Sequence, residues 1–150
     1  MKTVVCLVTC PQGSDIRNCT LSLASLRAGF PESHIIIYGN RLIDDQIDLV
    51  MTHCMINNYA FAGNQCVRGW HHAEWIEYCI NRYPGELVIA DPDMVFHESM
   101  EWVKCEGEAM ILGHYIPRMW NEFSQTPSVD RLHTELLFIK DTRALVNYCR

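Results

Sequence analysis

The chain has 150 residues and 49% hydrophobic content, which predicts one compact globular domain over residues 1–150. Its formal net charge of −6 argues against nucleic acid as the main partner, because phosphate backbones are bound by dense lysine and arginine. No apolar run approaches the roughly 20 residues that a transmembrane helix needs, so we expect no membrane-spanning segment.

The eight cysteines allow two interpretations. An even number suggests a disulfide framework in a secreted protein. Several of them instead lie within apolar patterns, where a reduced cysteine packs as a small hydrophobic residue. The first nine residues are typical of a core strand rather than of a signal peptide. We therefore predict reduced thiols and a cytoplasmic location.

The first forty residues predict a β-α-β unit. Residues 3–9 form a β-branched apolar run that is typical of a buried strand. A helix follows that Ser14 or Asp15 can cap and that ends at Gly29. Residues 34–38 predict a second buried strand, parallel to the first because such units are almost always right-handed crossovers.

The apolar pattern is weak over residues 40–64 and becomes clear again in the second half of the chain. For residues 40–64 we expect loops and one short helix. A helix then opens at Gly63–Asn64 and stops at Pro84–Gly85. Three strands and a last helix complete the chain, over residues 87–90, 109–113 and 135–139 and from about residue 142. This order predicts an α/β, Rossmann-like fold with a mostly parallel central sheet flanked by helices.

Ligands of such sheets bind beyond the carboxyl ends of the strands. The segments expected at that edge are Thr9-Cys10-Pro11, Tyr38-Gly39-Asn40 and Asp91-Pro92-Asp93. Two carboxylates one residue apart suit Mg²⁺ or Mn²⁺, which take oxygen ligands from one or two carboxylates and from substrate phosphates. The proline between them restricts their freedom, although Asp followed by Pro is also an ordinary β-turn opening.

These features together resemble the GT-A-fold glycosyltransferases, particularly the family 2-like members with an Asp-x-Asp motif. The resemblance covers roughly residues 3–100. The segments that carry it are Val4–Thr9, His34–Tyr38, Asn64 with Arg68 and His72, and Leu87–Phe96 with its Asp91-Pro92-Asp93. The chain is short for that family, and it lacks a clear Glu-Asp pair of the kind that family members use as a base.

The resemblance implies a metal-dependent transfer of a sugar from a nucleoside diphosphate donor, expected to be UDP-linked, to a hydroxyl acceptor. Asp93 would be the direct Mn²⁺ or Mg²⁺ ligand. Asp91 would face the ribose, the sugar or a metal-bound water, so it is a candidate for metal binding, donor binding and catalysis. The turn Thr9-Cys10-Pro11 would line the base and ribose.

Further candidates follow from residue chemistry. His133 and Glu135 share one face of a predicted strand, so His133 could complete the metal site. Glu135 or Asp130 could take the proton of an acceptor hydroxyl. The alternative for these three is a polar strand end that faces water.

Five residues are candidates for contact with the donor: Arg17, Asn40, Asn64, Arg68 and His72. Arginine suits phosphate through its planar fork of donors. An exposed helix face would explain the helical members of this set equally well.

Three other classes of function compete with the enzyme. The same fold could bind a nucleotide sugar without transferring it. A nucleotidyltransferase would also use acidic residues and metal, but the turn after residue 9 has one glycine and no lysine. A structural protein built on disulfides is the third class. The partners we expect are a nucleotide-sugar donor and a hydroxyl acceptor, and a homo-oligomer is left open.

Overall fold

A computed structural model describes residues 1–10, 16–66, 68–116, 120–121, 126–127 and 131–149, and for residues 18, 114–116, 120–121, 126–127 and 131–135 it gives the backbone alone. None of the helices in these ranges is long and apolar enough to cross a bilayer.

A six-stranded sheet forms the centre of the fold, with strands in the order β3-β2-β1-β4-β8-β5. The strands are β1 Thr3–Thr9, β2 His34–Asn40, β3 Ala60–Gln65, β4 Leu87–Ala90, β5 Ile111–Ile116 and β8 Arg131–Ile139. β1 is parallel to β2 and β4, and β2 is parallel to β3. β8 is antiparallel to both of its neighbours, so it alone among the six runs in the opposite direction. Two short strands, β6 Trp120–Asn121 and β7 Thr126–Pro127, pair separately.

Helices cover both faces of the sheet, which confirms the predicted α/β class. The helices are α1 Arg17–Gly29, α2 Asp44–Asn57, α3 His72–Arg82 and α4 Thr142–Tyr148. α1 and α2 pack on one face, and α3 and α4 pack on the other.

Strict alternation in β1 builds two cores at once. Val4, Cys6 and Val8 face α1 and α2, whereas Val5 and Leu7 face α3. All of these side chains are at most 9% exposed. A strand buried on both faces is apolar at nearly every position, and this is why the sequence identified it.

Residues 40–64 differ from the expectation of loops and one short helix. α2 spans 14 residues, and β3 adds an edge strand that pairs with β2. The helix was underestimated because its apolar residues do not form one stripe: Met55 and Ile56 are 82% and 74% exposed. The strand has no alternating apolar pattern and is held by backbone pairing to β2.

The second predicted helix begins later than expected. Asn64 lies within β3, and α3 starts at His72 rather than at Gly63–Asn64. The carboxylate of Glu74 accepts a hydrogen bond from the His71 N–H at 3.4 Å, which satisfies one of the unpaired donors at the helix start. The predicted caps Ser14 and Asp15 lie outside the described residues, and α1 begins at Arg17.

Two other strands are shifted along the chain relative to the prediction. The strand expected over 109–113 spans Ile111–Ile116, and the one expected over 135–139 begins earlier, at Arg131. The last helix starts where it was predicted. The Asp141 carboxylate caps it by accepting hydrogen bonds from the N–H groups of Arg143 and Ala144.

All eight cysteines lie in the described part of the chain, where they are thiols and not disulfides. This agrees with the predicted reduced state and removes the disulfide framework as the source of stability. Four of them are buried, and burial raises the pKa of the Cys54 thiol to about 11. Protonated, buried thiols of this kind behave as small core residues.

Candidate functional site

The carboxyl ends of four neighbouring strands form one edge of the sheet, which we call the rim. Thr9 ends β1, Asn40 ends β2, Gln65 ends β3, and the Asp91 turn follows β4. Because neighbouring strands lie about 4.8 Å apart, the rim extends about 14 Å from β3 to β4. The described residues of the predicted segments after β1, β2 and β4 therefore lie along one edge of the sheet.

The Asp91 turn is fixed on both sides. Upstream, all four residues of β4 are buried. Within the turn, the Met94 N–H points back to the Asp91 carbonyl at 3.5 Å, with Pro92 in the position that favours it. Downstream, the Phe96 N–H donates to Ser25 Oγ at 3.0 Å, and its ring packs edge-on against Phe30 at 5.2 Å. The turn is thereby tied to α1.

The charges of both carboxylates of this turn act on the buried Cys6 thiol. Burial raises the pKa of Cys6 well above its ordinary range, and the charge of Asp91 adds to this effect, followed more weakly by that of Asp93. Burial also raises the pKa of Cys19, with further contributions from Cys10 and Asp93. Asp91 is half-buried and Asp93 is exposed. The turn therefore presents two neighbouring negative groups, one of which is open to solvent.

The described residues contain no group of three or more His, Cys, Asp or Glu side chains that could hold a metal ion. A cation at the rim would then have Asp91 and Asp93 as protein ligands and would need oxygens from a substrate. That is the usual situation for Mg²⁺, which is bound by one or two carboxylates together with phosphates and water. The donor set thus fits a metal that arrives with a diphosphate.

The end of β1 contributes partly exposed groups to the rim. Thr9 and Cys10 are both half-exposed. The Thr9 carbonyl accepts a hydrogen bond from the Cys19 thiol at 3.8 Å, which links the strand end to the first turns of α1. Pro11, the third residue of the predicted turn, lies outside the described residues.

Asn40 and Asn64 each bond the backbone of a single residue twice. Asn40 Oδ1 accepts from the Trp70 N–H at 2.6 Å, and Asn40 Nδ2 donates to the Trp70 carbonyl at 3.2 Å. Asn64 does the same to Leu42, at 3.1 Å to its N–H and 2.9 Å to its carbonyl. Asn40 and Asn64 thus tie the backbones of Trp70 and Leu42, which lie outside the strands, to the ends of β2 and β3. Both residues lie at the rim, and their amides hold neighbouring loops in place.

The three candidates with basic side chains, Arg17, Arg68 and His72, occupy different settings. Arg68 forms an ion pair with Glu74 at 2.8 Å, although both groups are substantially exposed. The pKa of Glu74 is lowered mainly by the His71 N–H and also by Arg68. Arg17 and His72 are the exposed first residues of α1 and α3. The role of these three in donor binding stays a prediction.

The antiparallel strand β8 brings two further candidates toward the rim. Leu136 lies opposite Ala90, so the chain of β8 before Leu136 runs past the end of β4 toward the side of the Asp91 turn. Glu135 and His133 occupy this part of β8, and His133 is in register with His114 of β5. Their side chains and all of Asp130 lie outside the described residues. The roles of His133 as a metal ligand and of Glu135 as a base stay predictions.

Sequence reasoning missed Arg41. It directly follows β2, it is exposed, and its φ of 58° lies in the left-handed region. Trp70 was also missed as a rim residue; its indole packs on Tyr78 with ring centroids 4.8 Å apart. No pattern in the sequence indicated either one, because both depend on how the loop after β3 crosses the end of β2.

Solved glycosyltransferases share this fold. The chain is similar to the bifunctional glycosyltransferase WbbM, with a TM-score of 0.66 and 10% identity over 99% of this chain and 32% of that one. It is similar to the glycosyltransferase GlyE of Streptococcus pneumoniae TIGR4, with a TM-score of 0.62 and 10% identity over 99% and 36%. The mannosyltransferase PcManGT of Pyrobaculum calidifontis, solved with GDP-Man and Mn²⁺, gives 0.63 and 13% over 98% and 46%.

The chain therefore has an α/β fold that solved glycosyltransferases also have, and it spans about a third to just under a half of the length of these neighbours. No protein-family model matches the sequence. No curated protein matches it either.

Proposed function

We propose that this chain binds a nucleoside diphosphate sugar with Mn²⁺ or Mg²⁺ at the rim and transfers the sugar to a hydroxyl acceptor. The observation that carries the proposal is the Asp91 turn, whose two carboxylates stand at the carboxyl end of β4 over a buried core. The shared fold with glycosyltransferases supports it, since one of those neighbours was solved with a nucleotide sugar and Mn²⁺.

The negative charge of the Asp91 turn and of the donor diphosphate is the reason that donor binding would need a cation. The chain carries a net charge of −6, and two of its carboxylates, those of Asp91 and Asp93, would stand next to a donor diphosphate bound at the rim. Unit charges 4 Å apart interact by about 4 kcal/mol at an effective dielectric constant of 20. Without a cation, Asp91 and Asp93 would repel the donor. When bound, the cation supplies positive charge to the leaving diphosphate as the bond to the sugar breaks.

The chain's own residues would hold the donor and the reacting groups. Asp93, which is exposed, is the proposed direct ligand, and Asp91 faces the ribose or sugar. The ends of β1 and β2, at Thr9–Cys10 and Asn40, line the nucleotide. Glu135 or Asp130 takes the proton of the acceptor hydroxyl, and His133 completes the ligand set.

Calorimetric titration tests donor binding directly. Wild type, Asp93→Ala and Glu108→Ala are titrated with UDP and with GDP, in Mn²⁺ and in EDTA. Glu108 is an exposed carboxylate that precedes β5, at the end of the strands opposite the rim. Its replacement therefore controls for the loss of one negative charge. We expect binding that needs Mn²⁺, that is lost in Asp93→Ala and that is kept in Glu108→Ala. If wild type binds neither nucleotide, the proposed function is rejected and the Asp91 turn has only a structural role.

Transfer is a separate question from binding. UDP-sugars and GDP-sugars are incubated with the protein, and release of free nucleotide is followed, since water serves as a slow acceptor. Release that Asp93→Ala abolishes supports the transferase. Metal-dependent binding with no release over long incubation would support the alternative, a nucleotide-sugar-binding module of the same fold.

A further inference from the structure

Most of the described cationic side chains already have partners or lie far from the rim. Arg68 is paired with Glu74, Lys2 with Glu101, and the Arg27 guanidinium donates to several backbone carbonyls. Within the described ranges, the Arg41 guanidinium forms neither an ion pair nor a hydrogen bond, and the residue is exposed. It is therefore a cation available to a ligand, in a protein whose overall charge is negative.

The backbone holds Arg41 in a conformation that an arginine rarely adopts. Its φ is 58°, and the left-handed region is unfavourable for residues with a Cβ. The Arg41 N–H donates to the Gln65 carbonyl at 2.9 Å, which anchors the residue to the end of β3. Strained positions of this kind concentrate at functional sites, because the surrounding structure must enforce them.

Close packing also directs the side chain. Gly69 is buried, and a Cβ there would lie 2.6 Å from Arg41 Cδ and 2.8 Å from Arg41 Cγ. The methylene part of Arg41 thus rests on the glycine backbone. The two hydrogen bonds between the Asn40 amide and the Trp70 backbone keep that segment against the end of β2. The methylene part of Arg41 is thereby held in place, while its guanidinium remains available to a ligand.

The position suits the donor. Arg41 follows β2, which neighbours β1 and lies two strands from the Asp91 turn, a distance of about 10 Å along the rim. We propose that the Arg41 guanidinium binds the diphosphate part of the donor nucleotide from the side opposite to the Asp91 turn. A planar guanidinium can form two parallel hydrogen bonds to phosphate oxygens. This inference rests on the proposed function, because it assigns the ligand of the same site.

Arg41→Gly separates binding from folding. Glycine adopts a φ of 58° without strain, which offsets the lost packing on Gly69 and the extra freedom of the unfolded chain, so the variant should melt close to wild type. UDP and GDP are titrated in Mn²⁺ into wild type, Arg41→Gly, Arg41→Lys and Arg143→Ala. Arg143 is an exposed arginine in the first turn of α4, next to Thr142, whose N–H donates to the Gly85 carbonyl before the start of β4 and therefore at the end of the sheet opposite the rim. We expect the Kd of the nucleotide that binds wild type to rise about tenfold or more in Arg41→Gly, to rise less in Arg41→Lys and to stay unchanged in Arg143→Ala.

Salt dependence distinguishes phosphate binding from stacking on the base. The Debye length falls from about 10 Å at 0.1 M salt to about 3 Å at 1 M. The ratio of Kd values between Arg41→Gly and wild type should therefore shrink at high salt. A ratio that does not change with salt would indicate stacking and would overturn the assignment. Unchanged affinity in Arg41→Gly, with binding lost in Asp93→Ala, would overturn it while leaving the proposed function intact. Absence of nucleotide binding by wild type would instead reject the proposed function.

Discussion

Asn40→Ala removes both hydrogen bonds that join the end of β2 to the backbone of Trp70. A hydrogen bond of this kind contributes about 0.5–1.5 kcal/mol net. Asn40 is only half-buried, so water can partly replace the lost partners, and we expect a loss of about 1–2 kcal/mol in the free energy of unfolding. For a chain of this size about 1 kcal/mol corresponds to roughly 2–4 °C, so Tm should fall by about 2–8 °C.

Urea unfolding followed by circular dichroism gives the free energy, and a thermal melt gives the Tm. The matched control is Asn81→Ala, whose amide donates to the Glu77 carbonyl within α3 at 2.8 Å and is exposed. That variant should stay within about 0.5 kcal/mol of wild type. If Asn40→Ala costs no more than Asn81→Ala, the hydrogen bonds between Asn40 and Trp70 do not stabilise the end of β2.

Three further predictions concern the core. Gly29→Ala places a Cβ 2.7 Å from Phe96 Cγ, and this overpacking should lower the free energy of unfolding by about 1–3 kcal/mol in urea titrations. Phe30→Ala empties a fully buried site and should cost about 3–5 kcal/mol in the same assay. Burial raises the pKa of Cys6 and Cys79 well above their ordinary value, so the unfolded chain ionises first as pH rises. Stability should fall above about pH 9, by about 1.4 kcal/mol per pH unit for each thiol, and less steeply in Cys79→Ala; a pH-independent urea midpoint would contradict this.

The buried strands were predictable because their chemistry is local. β1, β2 and β4 are short runs of apolar residues buried on both faces. In a globular chain, a short apolar run of this kind indicates a central strand of a parallel sheet. The Asp91 turn was predictable for a related reason. Acidic residues that directly follow a buried strand are placed beyond the apolar core, at the edge of the sheet.

α2 and β3 were not predictable in the same way. α2 carries exposed apolar residues on its outer side, so no period separates an inner face from an outer one. β3 contains Gly63 with a φ of 113°, and its burial pattern is weak. It is a strand because the edge of β2 offers unpaired backbone groups, which is a property of the assembled sheet.

The sequence by itself determined the α/β class, the parallel unit at the start of the chain and the acidic turn as the centre of the proposed site. The tertiary structure alone decided that β8 enters the sheet antiparallel between β4 and β5, which brings the backbone of His133 and Glu135 toward the rim. It alone decided that Asn40 pairs with Trp70 and that Arg41 rests on Gly69. These contacts join residues about thirty positions apart in the chain, and short-range patterns carry no information about such pairs because they form only when the strands have assembled.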